Sequence, residues 1–218
     1  GNMHHRPGVA VTMNPLRLRL AAAALLLLPV TLHAGEPASL ETVRGSLRAT
    51  TTMTADFVQT AANGSQLSGT LSLARPGKIR FQYAKAPILI VANGNWLSFI
   101  DYEVSQVSQW PIRNTPLGVL INADSDLARF ARIVDAPPGL VAVEARDPKH
   151  PEYGAITMAF RADSAAPGGL RLLGWTALDA QNNLPEVRLD NIRYNVEIPN
   201  ARFTFRDPRP KAIPGKTR

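Results

Sequence analysis

A chain of 218 residues, 45% hydrophobic and 19% charged, is long enough for one globular domain with a sizeable core. It has no cysteine, which excludes a disulfide scaffold, a thiolate site and a lipidated cysteine. The net charge is +7, but Arg6, Arg17 and Arg19 fall in the first 34 residues, so the rest is only mildly basic; no cluster of cations interleaved with aromatics points to nucleic acid.

Met13 to Ala34 reads MNPLRLRLAAAALLLLPVTLHA. Arg17 and Arg19 form a positive n-region, and Leu20 to Leu28 an apolar h-region. Leu32-His33-Ala34 is a small-residue cleavage box with leucine at its outer position. The apolar run is shorter than the roughly 20 residues a spanning helix needs. The pattern predicts a cleavable signal peptide. Residues 1–34 are then leader plus an upstream extension before Met13, and 35–218 form a single exported domain.

Ser39 is placed to cap an amphipathic helix over about 39–51, with Leu40, Val43 and Leu47 on one face. Met53 to Thr60 alternates as a strand with Phe57 as its large residue. Asn63-Gly64 and Asn93-Gly94 are hairpin turns. Between them, LSGTLSLARPGKIRFQY (67–83) predicts two strands joined at Arg75-Pro76-Gly77. Period-2 alternation puts Leu67, Leu71, Leu73 and Arg75 on one face of the first strand, and Ile79, Phe81 and Tyr83 on one face of the second. An arginine closing an apolar stripe must find acceptors or lose several kcal/mol to desolvation. It suggests a latch on an apolar cavity.

The apolar run Pro87 to Val91, and strands Trp96 to Ile100 and Val104 to Trp110, follow. Thr115-Pro116 predicts a helix start, with Thr115 as cap and Leu117, Leu120 and Ile121 at helical spacing. Ser125 is expected to cap a second short helix carrying Leu127, Phe130, Ala131 and Val134. After Pro137-Pro138-Gly139 come strands at Leu140–Ala145, Ala155–Arg161, Leu170–Leu178, Glu186–Val196 and Arg202–Phe205. Pro167-Gly168-Gly169 and Gln181-Asn182-Asn183 are turns between them, and an irregular tail starts at Asp207. Ten or eleven short antiparallel strands with helices in two places predict a large, strongly curved sheet whose open face the helices cover.

Catalytic signals are sparse. His150, in the DPKHPEYG loop, is the only histidine past the leader, and no G-x-S-x-G elbow accompanies it. Asp124 and Asp126 bracket Ser125, where contact with a helix N-terminus accounts for them. No phosphate-cradling, dinucleotide or metal-ligand motif occurs. The chain is not expected to be an enzyme or to need a cofactor.

Five segments carry a family resemblance. DFVQT at 56–60 is similar to an early F-x-Q strand, and RPGKIRFQY at 75–83 to an R-P-x-x-[FI]-x-[WF] segment. ANG at 92–94 sits at an S-D-G hairpin. TPLGVLI at 115–121 resembles a T-P-x-x-L-[IL] helix, and FTFRDP at 203–208 a closing F-x-F-x-x-P. In this order and spacing, over roughly 40–208, they resemble the outer-membrane lipoprotein carrier protein (LolA) family of bacterial periplasmic chaperones. The resemblance implies a mainly β fold with an α lid: an incomplete, strongly curved antiparallel barrel with a hydrophobic concave face. It implies a monomeric periplasmic carrier that takes acylated lipoproteins from an inner-membrane ABC transporter to an outer-membrane receptor, or to that membrane itself. Arg75 falls on the family's latch arginine, which bonds main-chain carbonyls of the first helix and the T-P helix, here near Leu47, Leu120 and Ile121. Ile79 falls at the cavity mouth and Phe81 on a large cavity aromatic. Phe57, Tyr83 and Leu117 complete the expected cavity and lid. The tail KAIPGKTR (211–218), with only Ile213 large and apolar, departs from the family pattern and makes a final strand there doubtful.

Two other functions fit less well. A periplasmic module of the same fold would bind another lipid or sense mislocalised lipoproteins; a sensor would call for an extra domain. An enzyme acting on lipid or envelope polymer would rest on His150 or Asp124.

Overall fold

The structure is a computed structural model that describes residues 39–122, 129–178 and 184–212, all within one compact unit, Pro37–Arg218. Helix α1 (Leu40–Ala49) begins where the Ser39 hydroxyl accepts the Thr42 N–H. Glu41 in its first turn and Arg48 in its last complement the helix dipole. Strands β1 (Thr52–Thr60), β2 (Gln66–Ala74), β3 (Lys78–Tyr83), β4 (Ile88–Asn93), β5 (Trp96–Asp101) and β6 (Gln106–Pro111) follow as successive hairpins. Helix α2 (Leu117–Ile121) interrupts them. Then come β7 (Ala131–Val134), β8 (Leu140–Arg146), β9 (Ala155–Ala162), β10 (Leu170–Leu178) and β11 (Glu186–Tyr194). They form one antiparallel sheet in the order β6-β5-β4-β3-β2-β1-β11-β10-β9-β8-β7, with β6 and β7 as its edges.

The sheet bends back on itself. Strands β3 and β10 are four pairings apart, which in a flat sheet is about 19 Å. Yet the rings of Phe81 on β3 and Trp175 on β10 have centroids 6.1 Å apart, in edge contact. Only a strongly curved, half-closed sheet brings them together, as the strand count predicted.

Its inner face holds the main core. Met53, Phe57, Leu71, Leu73, Ile79, Phe81 and Tyr83 from the first half meet Val143, Met158, Phe160, Leu172, Trp175 and Leu189 from the second. Val43 and Leu47 of α1 and Val119, Leu120 and Ile121 of α2 belong to the same cluster, so both helices lie over this face. A smaller outer cluster joins Leu89, Val91 and Ile100 to Phe203.

Three sequence expectations are corrected. Ala131 and Val134 belong to a strand: β7 pairs with β8 through Ile133↔Val143 and Val134↔Ala142, and its β-branched pair suits a sheet edge. Arg202–Phe205 forms no strand; Asn200–Phe203 is a 3-10 turn. Arg80 donates to the carbonyls of Arg202 (3.1 Å) and Thr204 (3.0 Å), and Lys78 Nζ to Asn200 Oδ1 (3.1 Å). These bonds strap the segment across the outside of β3, which seats Phe203 in the outer cluster. Thr115 does not cap α2. Its hydroxyl donates to Ile112 O (2.8 Å) and closes the preceding 3-10 turn, while Pro116 already has helical dihedrals. The predicted cap at Ser125, the turn at 181–183, the acid pair Asp124 and Asp126, and Ile213 lie outside the described residues.

Candidate functional site

The hairpin between β2 and β3 places Arg75 at the rim of the inner face. Its Nη1 donates to the carbonyl of Thr50 at the end of α1, and its Nη2 to the carbonyl of Leu120 in α2 at 2.6 Å. One guanidinium thus ties both helices to one turn. The same turn adds a second tie, Gly77 N–H to Ile121 O (3.2 Å). Of the three positions expected near Arg75, Leu120 supplies an acceptor and Ile121 gives its carbonyl to Gly77 instead; on α1 the acceptor is Thr50, three residues past Leu47. Leu47 contributes a buried side chain instead.

Arg75 has no carboxylate within ion-pair distance among the described residues, and its buried Nε has no partner. Burial lowers the guanidinium to about 10, so it stays charged at neutral pH. A buried cation held only by carbonyl dipoles, with one donor unmatched, is a weaker fastening than an ion pair.

Beneath the latch the surroundings become wholly apolar. Ile79 and Phe81 are buried, and Phe57 lies between Phe81 and Tyr83 at centroid distances of 5.4 and 5.3 Å, edge to face in both cases. The register explains the contact with Tyr83. Phe57 on β1 and Tyr83 on β3 both stand opposite Gly69 on β2, and their rings meet over a residue with no side chain. Tyr83 keeps one polar tie: its hydroxyl donates to Gln59 Oε1 at 2.6 Å. Burial pushes that phenol up to about 12. Leu117 is half-buried against the same cluster, so the eight expected positions other than Arg75 share one apolar core, with Arg75 at its rim. In this closed arrangement Ile79 is covered rather than open at a cavity mouth. An external cleft of about 690 Å³ runs alongside the latch between Gly77, Trp96, Arg113 and Ile121.

Helix α1 is also stitched to the sheet independently of Arg75. Ser46 Oγ donates to Pro167 O (3.2 Å) and Leu170 O (3.3 Å), and Asn195 Nδ2 to Ala49 O (3.2 Å). The carbonyls of Leu120 and Ile121, by contrast, are both held by the Arg75–Gly77 turn.

Residues 48–206 match the family model of the outer membrane lipoprotein carrier protein LolA. The chain belongs to this family. An outer-membrane lipoprotein carrier protein of Dechloromonas aromatica is 30% identical over 210 residues, covering 90% of this chain and 95% of that protein. A relative of the same name from Chromobacterium violaceum is also 30% identical, over 90% of this chain and 96% of its own. A solved LolA superfamily protein from Nitrosomonas europaea aligns with a TM-score of 0.44 at 10% identity, over 76% of this chain and 96% of that one. That likeness is too distant to add to the assignment.

Sequence reasoning missed Trp175, which faces Phe81. Alternation along β10 from Leu170 and Leu172 would turn Trp175 outward. A bulge between Leu172 and Gly174 shifts the phase and brings it inside. Gly174 is the signal: its φ is +154°, and a Cβ there would stand 2.0 Å from Val187 O. His150 sits on the surface, with Nδ1 2.8 Å from Glu152 Oε1 and its ring stacked on Tyr153. The bond to His150 holds the Glu152 carboxyl below its usual range.

Proposed function

We propose that this chain is a periplasmic carrier that takes the acyl chains of lipoproteins into the apolar interior beneath α1 and α2 and moves them from the inner to the outer membrane. Family membership and the names of its relatives support the cargo class. The leader at 13–34, cleaved on export, supports the compartment. An inner-membrane ABC transporter as donor, and an outer-membrane receptor or that membrane as acceptor, complete the route. The chain acts by binding and release, not by turnover.

The observation that carries the mechanism is Arg75. A carrier must bind reversibly. Burying an acyl chain gains about 0.8 kcal/mol per methylene, so about 14 methylenes supply roughly 11 kcal/mol. That is too favourable for ready release unless something opposes it. The inner face is already filled by the chain's own side chains, so loading requires the lid to lift and the bonds from Arg75 to Thr50 O and Leu120 O to break. Re-forming them when cargo leaves offsets part of the loss. Arg75, Leu120 and Ile121 are then the latch, Leu47 and Leu117 the lid, and Phe57, Ile79, Phe81 and Tyr83 the acyl-contacting wall.

Native mass spectrometry of the mature protein, purified from cell envelopes without detergent, tests this. A bound acylated peptide or lipoprotein supports the carrier. A phospholipid or glycolipid in its place transfers the site to another lipid. A protein that stays empty and extracts no lipoprotein from membranes overturns the proposal.

A further inference from the structure

Two of the three tryptophans in the chain are not in the core. Trp96, first residue of β5, is 50% exposed, and Trp110 on β6 is 48% exposed, whereas Trp175 is 4% exposed. The two exposed rings stand at the same end of one hairpin, on opposite faces. Trp110 is paired with Leu97, whose side chain packs against the core, so Trp110 lies on the inner side. Trp96, one residue along and paired with Pro111, lies on the outer side. They straddle the end of the sheet edge beside α2, and Trp96 and Arg113 both line the cleft next to the latch turn.

The charge around them is one-sided. From Phe57 to Ile100, and again from Val104 to Ala123, there is no aspartate or glutamate; of the cations in these runs, Arg113 lines the same cleft as Trp96, and Lys78 starts β3 at this end, opposite Asn93. The acids of the hairpin, Asp101 and Glu103, are at its other end, about 17 Å from Trp96 along the strand. From Trp110 toward the far end of the hairpin β6 carries Gln109, Ser108 and Gln106, so the exposed rings do not continue into an apolar patch along the edge. A lipid–water interface surrounds a wedge from both sides, accepts each indole separately, and attracts cations when its headgroups are anionic.

We infer that the lid-side end of the β5–β6 hairpin is a membrane-docking wedge for anionic lipid surfaces. Trp96 and Trp110 enter the headgroup layer, and Arg113 pairs with lipid phosphate. The wedge is separate from the interior that takes cargo, and it would bring the latch turn and α2 to the bilayer surface.

The chain tests this with its own fluorophores. The mature protein is mixed with vesicles of phosphatidylethanolamine and phosphatidylglycerol, some carrying brominated acyl chains, and with pure phosphatidylcholine vesicles. Expected are flotation with the anionic vesicles, weakened by salt, and quenching of tryptophan emission by the brominated lipid. In Trp96→Gln/Trp110→Gln, which keeps only Trp175, quenching should vanish and vesicle affinity fall at least tenfold, with uptake of a soluble acylated peptide unchanged. Vesicle binding that the double variant retains, or a wild type that stays in solution with anionic vesicles, overturns the wedge. So does capture by membrane extracts but not by protein-free vesicles, which would assign the edge to a protein partner. Loss of peptide uptake in both proteins would instead count against the carrier function and leave the wedge standing on the vesicle data.

Discussion

Replacing Arg75 with leucine removes the latch without a cavity, because leucine fills much of the stem's volume. Two charge-assisted hydrogen bonds disappear, to Thr50 O and Leu120 O. Such bonds contribute about 1.5–3 kcal/mol each, net of the water they displace. The lower end for both is about 3 kcal/mol, which is roughly a hundredfold in an equilibrium constant. In the proposed mechanism only the closed, empty form contains these bonds, so losing them favours the open, loaded form. The β1–β2–β3 ladders do not involve the side chain, and the desolvation cost of the buried cation disappears with it, so the fold should survive. A fluorescent palmitoylated peptide should therefore bind Arg75→Leu about a hundredfold more tightly, with the gain in slower dissociation. Arg75→Lys, a single point donor that cannot fork across two helices, should fall between the two. A folded Arg75→Leu that binds and releases the peptide like the wild type would refute the latch.

Other consequences follow from the same geometry. Gly69→Ala would place a Cβ 1.9 Å from Gln82 O and 3.0 Å from the Phe57 ring, so β2 and β3 must part; urea denaturation should show a loss of about 3 kcal/mol or more. Phe203→Ala should cost about 3–5 kcal/mol by opening the outer cluster over Leu89, Val91 and Ile100, while peptide affinity stays unchanged. Tyr83 has a native pKa near 12 against about 10 when unfolded, so between these values the folded state holds the extra proton and stability falls as pH rises. Arg75, lowered to about 10, acts in the opposite sense over the same window, so the effect is read as a difference: between pH 10 and pH 12 the wild type should lose about 2–3 kcal/mol relative to Tyr83→Phe in urea denaturation.

Much of this architecture is local and could be read directly. The Ser39 cap, the turns at Asn63-Gly64 and Asn93-Gly94, and alternation through Ile79, Phe81 and Tyr83 reflect interactions within a few residues. Arg75 was conspicuous because a charge at the end of an apolar stripe needs distant acceptors. What failed depends on partners remote in sequence. Ala131–Val134 has helical spacing and becomes a strand because β8 offers a ladder. Arg202–Phe205 alternates like a strand, yet Lys78 and Arg80, some 120 residues earlier, hold it as a strap. Trp175 turns inward only because Gly174 allows a bulge against Val187. The acceptor at Thr50 rather than Leu47 reflects where α1 ends, a boundary that sequence patterns place loosely.

The central claim is that acyl chains lie against the inner face beneath the latch. The most direct measurement puts a photo-crosslinking amino acid at Phe81, and separately at Val58 on the exposed outer side of β1, and offers each protein a radiolabelled acylated lipoprotein. Capture from position 81 but not from 58 is the predicted result. Equal capture at both positions, or none at 81 in a protein that carries the lipoprotein, would contradict it.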